Sequence, residues 1–115
     1  MRTNFTMHEK YIKMFRGDTL SFGLKIKNEY GTPQDLERVR FTCKSNRTDN
    51  RYIFQKSLGN GITKSGSGDY VVRVAPSDTK NAKAGKYFYD LEISAGDDVF
   101  TIMRGILEIE QDITI

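Results

Sequence analysis

Residues 85–93 read GKYFYDLEI, and the alternation in this stretch decides the fold class. Successive side chains of a strand point to opposite faces, so a period of two indicates one buried and one exposed face. One phase holds Tyr87, Tyr89, Leu91 and Ile93, and the other holds Phe88, Asp90 and Glu92. The stretch therefore predicts a half-buried strand of an antiparallel sheet.

The same alternation recurs on both sides of this stretch, between clusters of turn-forming residues. It predicts strands at residues 11–15, 20–27, 39–44, 52–57, 70–74 and 99–110. Pro76 and Gly85 bound one helical candidate at residues 77–83, which is too short to persist alone and is predicted to be a crossover. Strands at this spacing predict an all-β fold, either a small barrel or an antiparallel β-sandwich of about seven strands with one short helical crossover, and the corner described below favours the sandwich.

The phase of each strand predicts which side chains form the core. We expect one core that contains Phe22, Leu24, Val39, Phe41, Val72, Tyr89 and Leu91. The last strand is ambiguous, because residues 99–103 are apolar on both phases. Those residues are expected either to be buried on both faces or to change phase at a bulge near Gly105.

Length and composition exclude several classes of protein. The 115 residues predict one domain over residues 11–115, preceded by a flexible segment at residues 1–10. No apolar run is long enough for a membrane span, and the first residues lack the apolar core of a secretory signal. One cysteine cannot form an internal disulfide, and one histidine cannot build a histidine-based metal site. No cofactor or metal is expected.

Charge is unevenly distributed along the chain, although the net value is only +3. Residues 1–56 carry 12 basic and 6 acidic side chains, whereas residues 57–115 carry 6 and 9. Solvated strand faces would explain this, and so would a two-signed surface that docks copies of the chain head to tail or docks a partner. Basic residues occur singly and not in runs, so nucleic acid is not expected as a partner.

The sequence offers no convincing catalytic group. His8 lies in a polar N-terminal segment, and the phase of Cys43 predicts a buried, inert thiol. The pairs Glu108/Glu110 and Asp97/Asp98 are expected to be solvated charges and not acid–base or cation sites. Residues 16–18 (RGD) match a cell-adhesion tripeptide, but Gly and Asp are ordinary turn residues. We therefore expect a protein that is not an enzyme.

The predicted crossover and the strand after it resemble the corner before strand F of immunoglobulin-like domains. In those domains a tyrosine hydroxyl bonds back to the backbone of the corner. Tyr87 or Tyr89 could make that bond here, or the two side chains could simply pack in the core.

Eight stretches together resemble short tail-associated proteins of phages and prophages of Firmicutes. They are FRGDT (15–19), SFG (21–23), FTCK (41–44), FQKSLGNGI (54–62), VRVAPSDT (72–79), GKYFYDL (85–91), DVFTI (98–102) and LEIEQD (107–112). Those proteins in turn are similar to the N-terminal domain of the siphophage upper baseplate protein family. The resemblance implies an immunoglobulin-like sandwich that is a non-enzymatic virion component of the tail, made in the bacterial host cytoplasm. It implies other tail or baseplate proteins, or further copies of the chain, as partners, with no role for membranes.

Two functions remain open from the sequence. The first is a structural module that acts through protein–protein contacts, and the second is a host-surface or carbohydrate-binding module. The candidate interface residues are Ile113 and Ile115, in a β-prone stretch, and the loop aromatics Tyr52 and Tyr30.

Overall fold

The computed structural model describes residues 8–111, which form nine strands and one short helix. The strands are β1 (His8–Glu9), β2 (Ile12–Phe15), β3 (Leu20–Lys25), β4 (Arg38–Lys44), β5 (Phe54–Leu58), β6 (Gly61–Gly66), β7 (Asp69–Val74), β8 (Gly85–Ala95) and β9 (Asp98–Glu110), and the helix is α1 (Pro76–Thr79). The all-β prediction is confirmed. The count exceeds the predicted seven because β1 has only two residues and β6 has one buried side chain, so neither shows a period of two.

The strands form a nearly closed, barrel-like sandwich. Their order is β1-β9-β8-β4-β5-β6-β7-β3, and β2 also pairs with β9. The chain passes from one half to the other between β5 and β6, which are joined by Gly59 and Asn60 alone. The two ends of this order, β1/β2 and β3, do not pair with each other among the described strands, so one seam of the sandwich stays open.

The expectation of an antiparallel sheet is wrong for three strand pairs, of which one is the short parallel pair of β5 and β6, with Ser57 opposite Gly61. Both β1 and β2 run parallel to β9, with Ile12 opposite Leu107 and Phe15 opposite Glu110. Gly105 makes this approach possible, because a Cβ at that position would overlap the carbonyl oxygen of Lys10. His8 and Glu9, which the predicted boundary places in the N-terminal segment, are thereby paired with the sheet.

The predicted change of phase in the last strand occurs, but earlier than Gly105. Leu91 pairs with Met103 and Glu92 with Thr101, which leaves Ile102 as the extra residue of a β-bulge. Ile102 and Met103 are both buried as a result. The alternative of burial on both faces is wrong, because Val99 is 60% exposed.

Five of the seven predicted core residues are buried in one cluster, namely Val39, Phe41, Val72, Tyr89 and Leu91. The ring of Phe41 lies at its centre, with the rings of Phe22, Phe54 and Tyr89 at centroid distances of 5.5, 6.0 and 5.3 Å. Phe22 and Leu24 only pack against this cluster and stay half-buried, contrary to the prediction. The reason is that β3 has a neighbouring strand on one side only.

The crossover is shorter than predicted, and α1 is a single turn. The carboxylate of Asp78 accepts the amide of Ala75 at 2.7 Å and forms a mostly buried ion pair with Lys56 at 2.6 Å. Just after the crossover, the hydroxyl of Tyr87 donates to the carbonyl oxygen of Lys83 at 2.5 Å, which is one of the alternatives that the sequence leaves open for Tyr87 and Tyr89. Tyr89 instead donates to the carbonyl oxygen of Lys10.

Candidate interaction surfaces

The open seam contains a groove of about 490 Å³ between β3 and the N-terminal strands. We call it the seam groove; it is lined by Glu9, Lys10, Ile12, Leu20, Phe22, Gly23, Leu24 and Met103. Its floor is apolar, because the inward side chains of β3 meet Ile12 of β2 and Met103 of β9 there. In a closed sandwich these side chains would be core, and here they are reached from solvent.

One wall of the seam groove is an unpaired strand edge. The amide of Ile26 donates to the carbonyl of Gly68 at 2.8 Å, so in this antiparallel pair Leu20, Phe22 and Leu24 also bond to β7. The amides and carbonyls of the residues between them, Ser21, Gly23 and Lys25, consequently face the groove. No strand of the described chain pairs with them.

The opposite wall is held firmly against β9. The carbonyl of Lys10 accepts the hydroxyl of Tyr89, and the amide of Lys10 donates to the carbonyl of Arg104 at 3.2 Å. Outside the groove, the hydroxyl of Tyr11 donates to Glu108, and Lys13 pairs with Glu110 at 3.3 Å. Glu108 and Glu110 therefore hold the side chains of Tyr11 and Lys13 against the outer face of β9.

One basic side chain on the rim of the seam groove has no ion-pair partner among the described residues. Lys10 lines the groove and is exposed, and its side chain forms no ion pair within residues 8–111. The acidic rim residue, Glu9, is already paired with Arg104 at 3.3 Å. An acidic or amphipathic partner would therefore meet one uncompensated positive charge, at Lys10.

A second surface covers the outer face of β4, β5, β8 and β9, and we call it the polar face. It has two adjoining depressions, of about 220 and 320 Å³, that share Thr42, Lys44 and Asp90. The remaining lining residues are Arg40, Arg47, Asn50, Tyr52, Gln55, Phe88, Tyr89, Glu92, Thr101 and Arg104. Donors and acceptors alternate across this face, and Tyr52 stands at its edge, 55% exposed.

Asp90 occupies the middle of the polar face. Its partial burial raises its pKa, and the nearby Glu92 carboxylate raises it further, whereas Lys44 and Arg40 act in the opposite direction. The side chain of Gln55 donates to the hydroxyl of Thr42 at 3.0 Å. The polar face can therefore accept hydrogen bonds from a polar ligand and donate hydrogen bonds to it.

The predicted interface residues are not brought together. Tyr52 lines the polar face, whereas Tyr30, which is 66% exposed, lies in the loop after β3 and lines neither surface. Ile113 and Ile115 lie outside the described residues. Cys43 is fully buried, as predicted, and burial raises its pKa to about 12.

Sequence reasoning missed the seam groove altogether. The residues of its floor have the apolar pattern of ordinary core positions. The feature that distinguishes β3 from the central strands is its outer phase, in which Gly23 stands between Ser21 and Lys25. A glycine inside a strand and a lysine on its outer phase are both typical of sheet edges.

Comparison of the chain with protein-family models and with curated proteins finds no match. Within the described residues, no three His, Cys, Asp or Glu side chains come together in a way that could hold a metal ion. No helix there has the length and apolar character that crossing a membrane requires. The functional argument therefore depends on the geometry of the two surfaces.

Proposed function

We propose that this protein is a non-enzymatic structural module of a phage tail or baseplate that acts through protein–protein contacts. The observation that carries the proposal is the seam groove, in which an unpaired strand edge lies beside an accessible apolar floor. Free backbone donors and acceptors on a strand edge are a template for pairing with another chain. Pairing of this kind gives affinity through main-chain bonds and specificity through side-chain pockets.

We also infer that the sandwich is immunoglobulin-like. Two features support this assignment: β4, β8 and β9 lie side by side and face β3, β7 and β6, and the corner tyrosine Tyr87 lies near the start of the central strand β8.

The resemblance of the sequence to short phage tail proteins supplies the proposed location. The protein would be made in the bacterial host cytoplasm and carried in the virion, where other tail or baseplate proteins and further copies of itself would be its partners. A role of this kind needs no cofactor.

The direct test is to purify tails from the phage or induced prophage that encodes the chain and to identify their proteins by mass spectrometry. The proposal expects the chain in the tail fraction at a fixed ratio to a distal-tail or baseplate protein. A chain that is synthesised during induction but absent from purified tails contradicts it.

The polar face supports a second candidate function, recognition of a surface carbohydrate. Exposed Tyr52 offers a ring on which a sugar can stack, and the Asp90 and Gln55 side chains offer an acceptor and a donor for its hydroxyls. No such aromatic ring lies beside the seam groove floor except the half-buried Phe22.

A binding assay on host cell-wall polysaccharide tests this candidate with a matched pair of variants. Tyr52→Ala should abolish retention, whereas Tyr30→Ala, which removes an equally exposed tyrosine away from the polar face, should not. Equal retention of both variants and the parent protein contradicts a sugar site on this face.

A further inference from the structure

We infer that the seam groove binds an extended strand formed by residues 112–115 of a second copy of this chain. The inference deepens the proposed function, on which it rests, by naming the binding site and the partner segment. The resulting assembly is head to tail, because the groove of one copy receives a segment that follows β9 of the next.

The dimensions and chemistry of the groove suit one extended strand. β3 has six residues, so its free edge is about 20 Å long. Its three groove-facing residues, Ser21, Gly23 and Lys25, are spaced as a pairing strand requires. Between them, the floor formed by Leu20, Phe22 and Leu24 can receive side chains from every second position of the added strand.

Residues 112–115 (DITI) have the pattern that this groove accepts. When the segment is extended, Ile113 and Ile115 point to one side and Thr114 points to the other. The two isoleucines would cover the apolar floor, and the threonine would face water. Isoleucine and threonine also favour the strand conformation.

Charge complementarity favours the same segment. Asp112 is acidic, and the groove rim presents Lys10 without an ion-pair partner in the described part of the chain. On a larger scale, residues 1–56 carry a net charge of +6 and residues 57–115 a net charge of −3. A heterologous contact between the two halves of neighbouring copies uses this asymmetry.

The segment cannot reach the groove of its own chain. β9 runs parallel to β2, and the amide of Arg16 bonds to the carbonyl of Glu110 at 2.8 Å, beside the turn that leads into β3. β3 then runs back from that turn, so a strand leaving β9 would have to reverse direction to lie against it. Four residues span only about 13 Å, which is too little for both a turn and a paired strand.

Sedimentation velocity of the full chain over a range of concentrations tests the inference with two matched pairs of variants. The first pair is Ile113→Ser with Ile115→Ser against Thr114→Ser. The second is Gly23→Pro, which removes a groove-facing amide, against Gly23→Ala, whose added methyl meets only the carbonyl of Tyr70, at 3.9 Å. Thermal unfolding confirms that each variant is folded.

The parent protein should associate at about 100 μM, in the range of weak specific contacts. The double isoleucine variant and Gly23→Pro should associate at least tenfold more weakly, and the two control variants should match the parent. A peptide of residues 108–115 should bind the double isoleucine variant and shift the NMR signals of Ser21, Gly23 and Lys25.

Three outcomes overturn the inference: a parent protein that stays monomeric at several times this concentration, variants and controls that associate equally, and a peptide that leaves the groove signals unchanged. These failures are separate from failure of the proposed function, because tail proteomics reports whether the chain is in the virion whatever its self-association. A chain found in tails that fails these tests keeps its proposed function and loses this partner.

Discussion

Leucine-to-alanine substitutions at Leu91 and Leu24 should have very different costs, although the sequence assigns both residues to the core. Leu91 is fully buried, so its truncation loses the transfer free energy and leaves a cavity, at about 2–5 kcal/mol. Leu24 is half-buried and lines the seam groove, which is open to water, so no closed cavity remains. The truncation removes three carbons, and burial of each contributes about 0.8 kcal/mol to the unfolding free energy. Because Leu24 is only half-buried, the expected loss is about 1 kcal/mol.

Urea unfolding measures both free energies, with circular dichroism as the probe because the chain has no tryptophan. The protein should be at a few micromolar, so that self-association does not stabilise the parent protein. The loss at Leu91 should exceed that at Leu24 by at least about 1 kcal/mol. Equal losses above about 2 kcal/mol would show that Leu24 is enclosed and would refute the open seam.

Three further substitutions and conditions have expected outcomes. Asp78→Ala should lower the unfolding free energy by about 3–5 kcal/mol, because it leaves the mostly buried Lys56 ammonium unpaired; replacing both with apolar residues should restore most of the loss in the same melt. Gly105→Ala should displace the N-terminal strand at Lys10, seen as faster amide exchange over residues 8–15 with unchanged exchange in β4. Cys43 should resist alkylation in the folded protein. The unfolding free energy should fall as pH rises from 9.0 to about 12, because the thiol loses its proton in the unfolded state before it does so in the folded state. Rapid alkylation below pH 9, or an unfolding free energy that rises between pH 9.0 and about 12, would contradict the burial of Cys43.

The central strands and most of the core could be predicted from the sequence because both faces of those strands have a defined environment. β7 and β8 alternate in burial because one face meets the core and the other is more accessible to water, and β4 does so except at Thr42, which is buried as well. The sequence indicates Tyr87 and Tyr89 as the two candidates for a bond to the backbone of the crossover, because such a bond is local, but it does not decide between them or exclude simple packing.

The seam could not be predicted, because pairing between distant strands leaves little trace in either sequence. The parallel approach of β2 to β9 depends on Gly105, because a side chain there would overlap the carbonyl oxygen of Lys10. Lys10 is ninety-five residues away in sequence, so the reason for this glycine cannot be read from its neighbours. Leu24 and Leu91 are both leucines on the apolar phase of their strands. Leu24 lines a groove and Leu91 is in the core because β3 lacks a neighbouring strand on one side. Residues 112–115 alternate polar and apolar side chains, but the sequence does not indicate which surface, if any, would bind them.

Hydrogen exchange at the backbone amides of Ser21, Gly23 and Lys25 tests most directly whether the seam groove receives a strand from another copy. In dilute protein these amides should exchange at nearly the rate of an unstructured chain, while those of Leu20, Phe22 and Leu24, which bond to β7, stay protected. At about 100 μM the three groove-facing amides should become protected, and the double isoleucine variant should abolish that protection. Protection that is already complete in the dilute monomer, or that never develops as concentration rises, would contradict the account.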